Sequence, residues 1–149
     1  ICQRIAEAKE NADFVVVYIH WGMEGVEWLE DYQLNSGKEF IDAGADVVVG
    51  DHPHVVQGIE WYEGKPIFYS MGNYWFSNVG KDTMLLEVEL DRPEGGEQTA
   101  QFRLVPAWTQ NGKVRATTDE SAMRTFFQHV ESISVNADLD DAGIVTERA

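Results

Sequence analysis

The stretch DVVVGDHPHVVQ, residues 46–57, decides how the rest of the chain is organised. Its apolar run 47–49 predicts a buried strand, and the histidines that follow it, His52 and His54, stand two residues apart. In extended or tightly turned backbone, residues i and i+2 project to the same side. Because open α/β sheets bind ligands beyond the carboxyl ends of their strands, we expect a binding site here.

A second apolar run, residues 14–19, ends at His20 in the same way. Its β-branched and aromatic composition predicts a strand that is buried on both faces. Between the two runs, residues 32–43 have helical spacing with Gly44 behind them, so the segment predicts a strand–helix–strand unit with parallel strands. Parallel strands place their carboxyl ends on one edge of the sheet, and this brings His20 towards His52 and His54.

The rest of the chain predicts antiparallel strands and one more helix. In order, the segments are a helix tail at 1–11, a hairpin from 58–62 and 66–70, strands at 83–90 and 101–108 (the second meeting an edge or bend at Pro106), a capping box Thr117–Glu120, an amphipathic helix with Met123, Phe126, Phe127 and Val130, and a loose polar tail from Asn136. We therefore expect one α/β domain over 1–149, with the βαβ unit and histidine motif in 1–76 and antiparallel strands plus a C-terminal helix in 77–149.

Composition excludes several classes of function. The 149 residues carry a formal net charge of −15, and a sequence pI near 4.4 disfavours nucleic acid and anionic membrane surfaces as partners. The single cysteine, Cys2, rules out an internal disulfide and a cysteine-based zinc site. No signal-peptide pattern or membrane-length apolar stretch is present. Since the first residue is Ile, we expect the chain to be part of a longer protein.

Each polar residue near the strand ends has two interpretations. Neutral imidazoles commonly hold divalent metals, so His20, His52 and His54 are the candidate ligands, although a histidine can also cap a strand end. Asp51 is a further ligand or a loop acid, and Asn73 is a metal or phosphate contact or a turn residue. His129, on the polar side of the last helix, is expected at the surface.

The aromatic residues close to these positions also have two interpretations. Trp21, Tyr74 and Trp75 can form the floor of a substrate pocket, or they can belong to the core. Ser70 has no base within sequence reach, so it gives no case for covalent catalysis.

The motifs HWG (residues 20–22), Gln33 and IDAGADVVVGDHPHVVQGIEWYEGKPIFYSMGNYWFS (residues 41–77) resemble the poly-gamma-glutamate capsule-synthesis proteins of the CapA type. That family belongs to the calcineurin-like metallophosphoesterase superfamily, and the similarity runs over residues 14–76, in the family's C-terminal half. It implies a metallophosphoesterase-like layered sandwich. It also implies that His20, His52 and His54 are metal ligands and that Asn73 lies in the family's glycine-asparagine loop.

The sequence departs from the family pattern in two respects. The usual proline between HWG and the glutamine is missing from residues 26–31, which affects the substrate side. The superfamily's early aspartate, Gly-Asp motif and Gly-Asn-His motif are not in their proper places, and Tyr74 stands where the last histidine would be. The resemblance therefore implies half of a site that holds two divalent ions (Mn, Fe or Zn) in the complete protein, and we expect this chain alone to be inactive.

Two functions follow from the resemblance. The first is a metal-dependent hydrolase-like component of capsule polymer synthesis or release, acting on an anionic polymer or a phosphoester. The second is a non-catalytic scaffold or polymer-binding subunit of a cell-surface assembly. The implied partners are the N-terminal half of the same protein, other capsule-synthesis membrane proteins and, through an uncovered sheet edge, a second copy of the chain. The implied location is the cell surface, with a membrane anchor outside this chain.

Overall fold

The computed structural model describes residues 1–76 and 80–148, so the predicted segment boundary at Ser77 lies outside the described residues. In these ranges, two sheets and three helices form the α/β architecture that the sequence predicts. The elements are α1 (Cys2–Lys9), β1 (Val16–His20), α2 (Asp31–Asp42), β2 (Val47–Asp51), β3 (Ile59–Tyr62), β4 (Lys65–Phe68), β5 (Lys81–Asp91), β6 (Thr99–Gln110), β7 (Lys113–Ala116), α3 (Glu120–Ser132), β8 (Ala137–Leu139) and β9 (Ile144–Glu147).

The first sheet has the strand order β1-β2-β4-β3. Strands β1, β2 and β4 are parallel. Strands β3 and β4 form an antiparallel hairpin, with its turn at Glu63 and Gly64. The strand–helix–strand unit and the hairpin are therefore confirmed. No helix in the described ranges is long and apolar enough to span a bilayer.

The alternation of side chains along β2 divides the core into two clusters. Val48 faces helices α1 and α2 and packs with Ile5, Phe40 and Ile41. Val47 and Val49 face the opposite way, towards the second sheet and α3, in a cluster with residues such as Phe102, Leu104 and Phe127. Successive strand residues point to opposite faces, so one short apolar run supplies both layers.

The second sheet is antiparallel, with the order β5-β6-β9-β8 and with β7 paired to the far end of β6. Met84 and Leu104 are buried as predicted, whereas Val88 and Leu90 at the end of β5 are exposed. Leu86 is the last residue of β5 that packs against the core, and the β5–β6 hairpin extends beyond it.

The prediction that the first strand is buried on both faces is wrong. Val17 packs against the helices, but Val16 and Tyr18 on the other face are 53% and 67% exposed. The second sheet covers β2, β3 and β4, which supply its core partners Val47, Ile59 and Phe68, and it does not cover the edge strand β1.

The structure also corrects the expectations for Pro106, for the start of the last helix and for the C-terminal tail. Pro106 lies inside β6, opposite Met84, whose N–H is directed to Met71 and not to β6. On the other side of β6, β9 pairs with Phe102 and Arg103, and β7 pairs with the residues from Ala107 onwards. Pro106 lies between these two pairings, so its lack of an N–H costs the sheet no hydrogen bond there.

The N-cap residue of the last helix is Asp119, and not Thr117 of the predicted capping box. The Asp119 carboxylate accepts the N–H of Ala122 at 2.8 Å, which is the usual role of an N-cap residue. The tail is also not loose, because β8 and β9 form a hairpin that extends the second sheet. Asn136 anchors this hairpin by hydrogen bonds to both backbone groups of Trp61.

Candidate metal centre

The parallel pairing of β1 and β2 places the three predicted histidines at one edge of the first sheet. His20 lies opposite Asp51 in the register of the two strands. The ring centroid of His52 is 4.4 Å from that of His20 and 6.0 Å from that of His54. The structure therefore brings together the residues that the sequence singled out, across a separation of more than thirty positions.

The backbone at the histidine pair adopts an uncommon conformation. His52 and His54 have φ angles of 95° and 59°, in the region that side chains other than glycine rarely occupy. Such residues cost on the order of 1–3 kcal/mol each and concentrate at functional sites. Hydrogen bonds from Gly25 N to Pro53 O (2.7 Å) and from Met71 N to Gly50 O (3.2 Å) hold the surrounding turn in place.

A carboxylate orients the first histidine. The Nδ1–H of His20 donates to Oδ1 of Asp51 at 2.8 Å, and the Tyr18 hydroxyl donates to Oδ2 of the same group at 2.9 Å. Partial burial and this hydrogen bond raise the pKa of Tyr18 above its ordinary value, so the phenol remains a donor at neutral pH. In the neutral imidazole, an Nδ1 that donates leaves Nε2 with its lone pair, which is the arrangement typical of metal-binding histidines.

An amide orients the third histidine. Oδ1 of Asn73, which is 4% exposed, accepts a 2.6 Å hydrogen bond from Nδ1 of His54, so Nε2 of that ring is also left with its lone pair. Phe76 stacks on the His54 ring with centroids 4.5 Å apart. The Lys81 ammonium donates to the backbone carbonyl of His54 at 3.1 Å. Asp51 and Asn73 thus act on the histidines as positioning partners.

A buried glutamine pair supports the loop between β1 and α2, and the sequence reasoning missed it. Gln33 and Gln57 are fully buried, and Nε2 of Gln33 donates to Oε1 of Gln57 at 3.0 Å. Gln57 in turn donates to the carbonyls of Val26 and Trp28. The sequence feature that could have revealed this pair is Gln33, which lies on the inner side of an amphipathic helix where an apolar residue is expected.

The remaining candidates fall outside the centre. Trp21 is a core residue whose indole N–H donates to Tyr69 O, whereas Tyr74 and Trp75 are exposed. Ser70 is buried and donates to Val55 O. His129 is at the surface as predicted, and its Nε2 lies 2.8 Å from a carboxylate oxygen of Glu27.

The donor set fits one side of a divalent-metal site. Imidazole nitrogens suit Zn, Fe and similar ions. Among the described residues, Nε2 of His20 and Nε2 of His54 have no hydrogen-bond partner. Within residues 1–76 and 80–148, however, no three His, Cys, Asp or Glu side chains form a group that could hold a metal ion by themselves. The three histidines therefore fit a divalent metal by the type of donor atom, and His20 and His54 also fit it by their tautomer. A complete site needs further ligands.

The chain is similar to known proteins. The family model described as "Bacterial capsule synthesis protein PGA_cap" matches residues 1–78. The chain is 41% identical to the PGA biosynthesis protein CapA of Bacillus subtilis (strain 168), over 68% of this chain and 27% of the relative. It is 38% identical to the capsule biosynthesis protein CapA of Bacillus anthracis, over 79% of this chain and 29% of the relative.

The match therefore includes the whole histidine centre, from His20 to Asn73, and the chain spans less than a third of the length of either relative. On this evidence, the chain belongs to the PGA_cap family of bacterial capsule synthesis proteins.

Proposed function

We propose that this chain supplies the histidine half of a divalent-metal site in a metallophosphoesterase-like protein that acts in the synthesis or release of a poly-gamma-glutamate capsule polymer. The observation that supports it is the pair of hydrogen bonds at Nδ1 of His20 and His54. Each leaves Nε2 with a lone pair on a ring next to His52, at the ligand-binding edge of a parallel sheet.

The complete protein would hold two ions, of Mn, Fe or Zn, by His20, His52 and His54 together with ligands from its N-terminal half. Such ions lower the pKa of bound water and stabilise negative charge on phosphoryl or carboxylate oxygens. Asp51 and Asn73 keep the imidazoles in the binding tautomer. The phosphoesterase-like role and the layered sandwich of the whole protein are both part of this proposal.

The exposed face of β1 is the proposed contact with the rest of the protein. Val16 and Tyr18 leave apolar surface uncovered on the strand that ends at His20, at the edge of the sheet. A partner seated there would reach the histidines as well as cover this surface. We assign the face to the N-terminal half of the same protein, and a homodimer of the isolated chain would use the same face. Cell-surface location and contact with capsule-synthesis membrane proteins complete the proposal.

Metal titration tests the proposal. Zn²⁺ and Mn²⁺ are added to the metal-stripped chain, to the His52→Ala/His54→Ala variant and to the control His129→Ala, which removes a carboxylate-paired imidazole elsewhere. We expect binding at about micromolar concentration or tighter in the wild type and in the control, and its loss in the double variant. Equal binding by all three proteins would overturn the assignment.

A non-catalytic polymer-binding or scaffold role is the second candidate, favoured by the exposed aromatic side chains of Trp75 and Phe76 next to His54. Phosphodiester hydrolysis by the full-length protein distinguishes the two. Turnover that is lost on His52→Ala supports the hydrolase, and metal binding without turnover supports the scaffold.

A further inference from the structure

The chain carries few cations, and most of them are already paired with carboxylates. Of its eleven Lys and Arg side chains, eight have a carboxylate oxygen within 4.0 Å. Within the described part of the chain, the three without such a partner are Lys81, Lys113 and Arg115. Lys81 is engaged by the carbonyl of His54, so Lys113 and Arg115 on β7 are the side chains left for an external anion.

These two cations face one cleft. Residues i and i+2 of a strand share a face, and the pairing of β6 with β7 sets Arg115 opposite Trp108 and Lys113 opposite Gln110. Together with Asn111 these residues line a cleft of about 270 Å³, which we call the β6–β7 cleft. Trp108 is 43% exposed, so its ring is accessible.

Trp75 and Phe76 connect the turn of the β6–β7 cleft with the histidine centre. The indole N–H of Trp75 donates to the carbonyl of Gly112, in the turn between β6 and β7, at 2.7 Å. The next residue, Phe76, stacks on His54. Trp75 and Phe76 are each 72% exposed, so one accessible aromatic side chain contacts the β6–β7 turn and the next one contacts His54.

We propose that the β6–β7 cleft binds a segment of an acidic polypeptide and directs it towards the histidine centre. The carboxylates of the ligand pair with Lys113 and Arg115, and its methylene and amide groups pack on Trp108 and Trp75. The identification of the polymer as poly-gamma-glutamate rests on the proposed function.

Electrostatics favours this place over the rest of the surface. A chain of net charge −15 repels an anionic polymer, and cations that are already paired must give up a carboxylate before they bind another. Lys113 and Arg115 need no such exchange. Asp82, the acid opposite Trp108 in β5, is separated from Arg115 by the width of β6.

Fluorescence polarisation with fluorescein-labelled poly-gamma-glutamate tests the inference at low salt. The Lys113→Ala/Arg115→Ala variant is compared with Arg103→Ala/Arg124→Ala, which removes the same charge from exposed cations that are paired with Glu87 and Asp141. We expect the affinity to fall about tenfold or more in the first variant and by less than about twofold in the second. Retention of affinity in Lys113→Arg/Arg115→Lys would support the role of charge, and circular dichroism verifies the fold of each variant.

Equal losses in the two alanine variants, or no binding by the wild type, would overturn the inference. Polyphosphate of matched charge is the comparison ligand, and binding as tight as that of poly-gamma-glutamate would overturn the assignment to a polypeptide. Metal titration of the same variants separates this result from the proposed function, because the described lining of the β6–β7 cleft contains no histidine. Loss of polymer binding with normal metal binding supports the cleft, and normal polymer binding with absent metal binding contradicts the metal centre alone.

Discussion

The imidazole Nδ1 of His20 lies 2.8 Å from the Oδ1 atom of Asp51, although the two residues are 31 positions apart in the chain. They end two neighbouring parallel strands and face each other in register. The hydrogen bond favours the neutral tautomer whose Nε2 has a lone pair, so Asp51 positions the candidate metal ligand His20.

Asp51→Ala is expected to weaken Zn²⁺ binding by about 10- to 100-fold, the usual cost of losing such a partner. Calorimetric titration measures this effect. Tyr18→Phe is the matched control, because it removes only the hydrogen bond from the phenol to the same carboxylate. In ¹⁵N spectra we expect the ring of His20 to show a single tautomer in the wild type and a mixture in Asp51→Ala. An unchanged affinity with an unchanged tautomer would refute the positioning role.

The strained backbone at His52 predicts an unusual order of stabilities. At φ 95°, glycine is free of the conflict that every other side chain meets, so His52→Gly is expected to be about 1 kcal/mol more stable than His52→Ala. In an ordinary position the order is the reverse, because glycine has the greater entropy when unfolded. Urea unfolding of both variants decides the matter. Greater stability of the alanine variant would show that the backbone relaxes without strain.

Tyr69 and Trp21 pack so closely against the backbone of Gly50 that there is no room for a side chain. A Cβ atom at this position would lie 2.2 Å from both Tyr69 O and Trp21 Nε1. Gly50→Ala is therefore expected to lower the free energy of unfolding by about 3 kcal/mol or more, or to prevent folding. Gly25→Ala is the comparison: φ there is 76°, a Cβ atom would meet no described atom within 4 Å, and the substitution should cost about 1 kcal/mol. Thermal and urea unfolding measure both, and equal losses would contradict the packing argument.

Tyr69 predicts a pH dependence of stability. Its hydroxyl donates to the Glu60 carboxylate at 2.6 Å, and Lys38 binds the other oxygen of that group at 2.9 Å. Burial, and then the hydrogen bond to Glu60, raises the pKa of Tyr69 well above its ordinary value. At neutral pH, Tyr69→Phe should cost about 1.5–3 kcal/mol, the range for a hydrogen bond to a charged group.

The stabilising contribution of the Tyr69 hydroxyl declines at high pH. Above pH of about 10 the tyrosine ionises in the unfolded chain but not in the folded one, so the wild type loses up to about 1.4 kcal/mol per pH unit, and Tyr69→Phe does not lose this contribution. The difference in stability between the two proteins should therefore narrow from pH 9 to 11. Urea midpoints across this range provide the measurement, and a constant difference would count against the raised pKa.

Much of the fold was predictable because it follows from local patterns. The apolar run before Gly50 and the amphipathic spacing that ends at Phe40 and Ile41 predicted a strand and a helix that the structure contains. The prediction failed where a residue's partner is distant in the chain. Asn136 reads as the start of a polar tail, but its hydrogen bonds to Trp61 attach β8 and β9 to the rest of the fold.

The sequence by itself determined that His20, His52 and His54 lie at one edge of a sheet. Two apolar runs joined by a helix must run parallel, and parallel strands end on the same side. Only the tertiary structure decided which ring nitrogens are left with a lone pair, that Val16 and Tyr18 are uncovered, and which cations lack a carboxylate. These properties depend on contacts between residues far apart in the chain and on how much of the first sheet the second one covers, and neither is encoded in local periodicity.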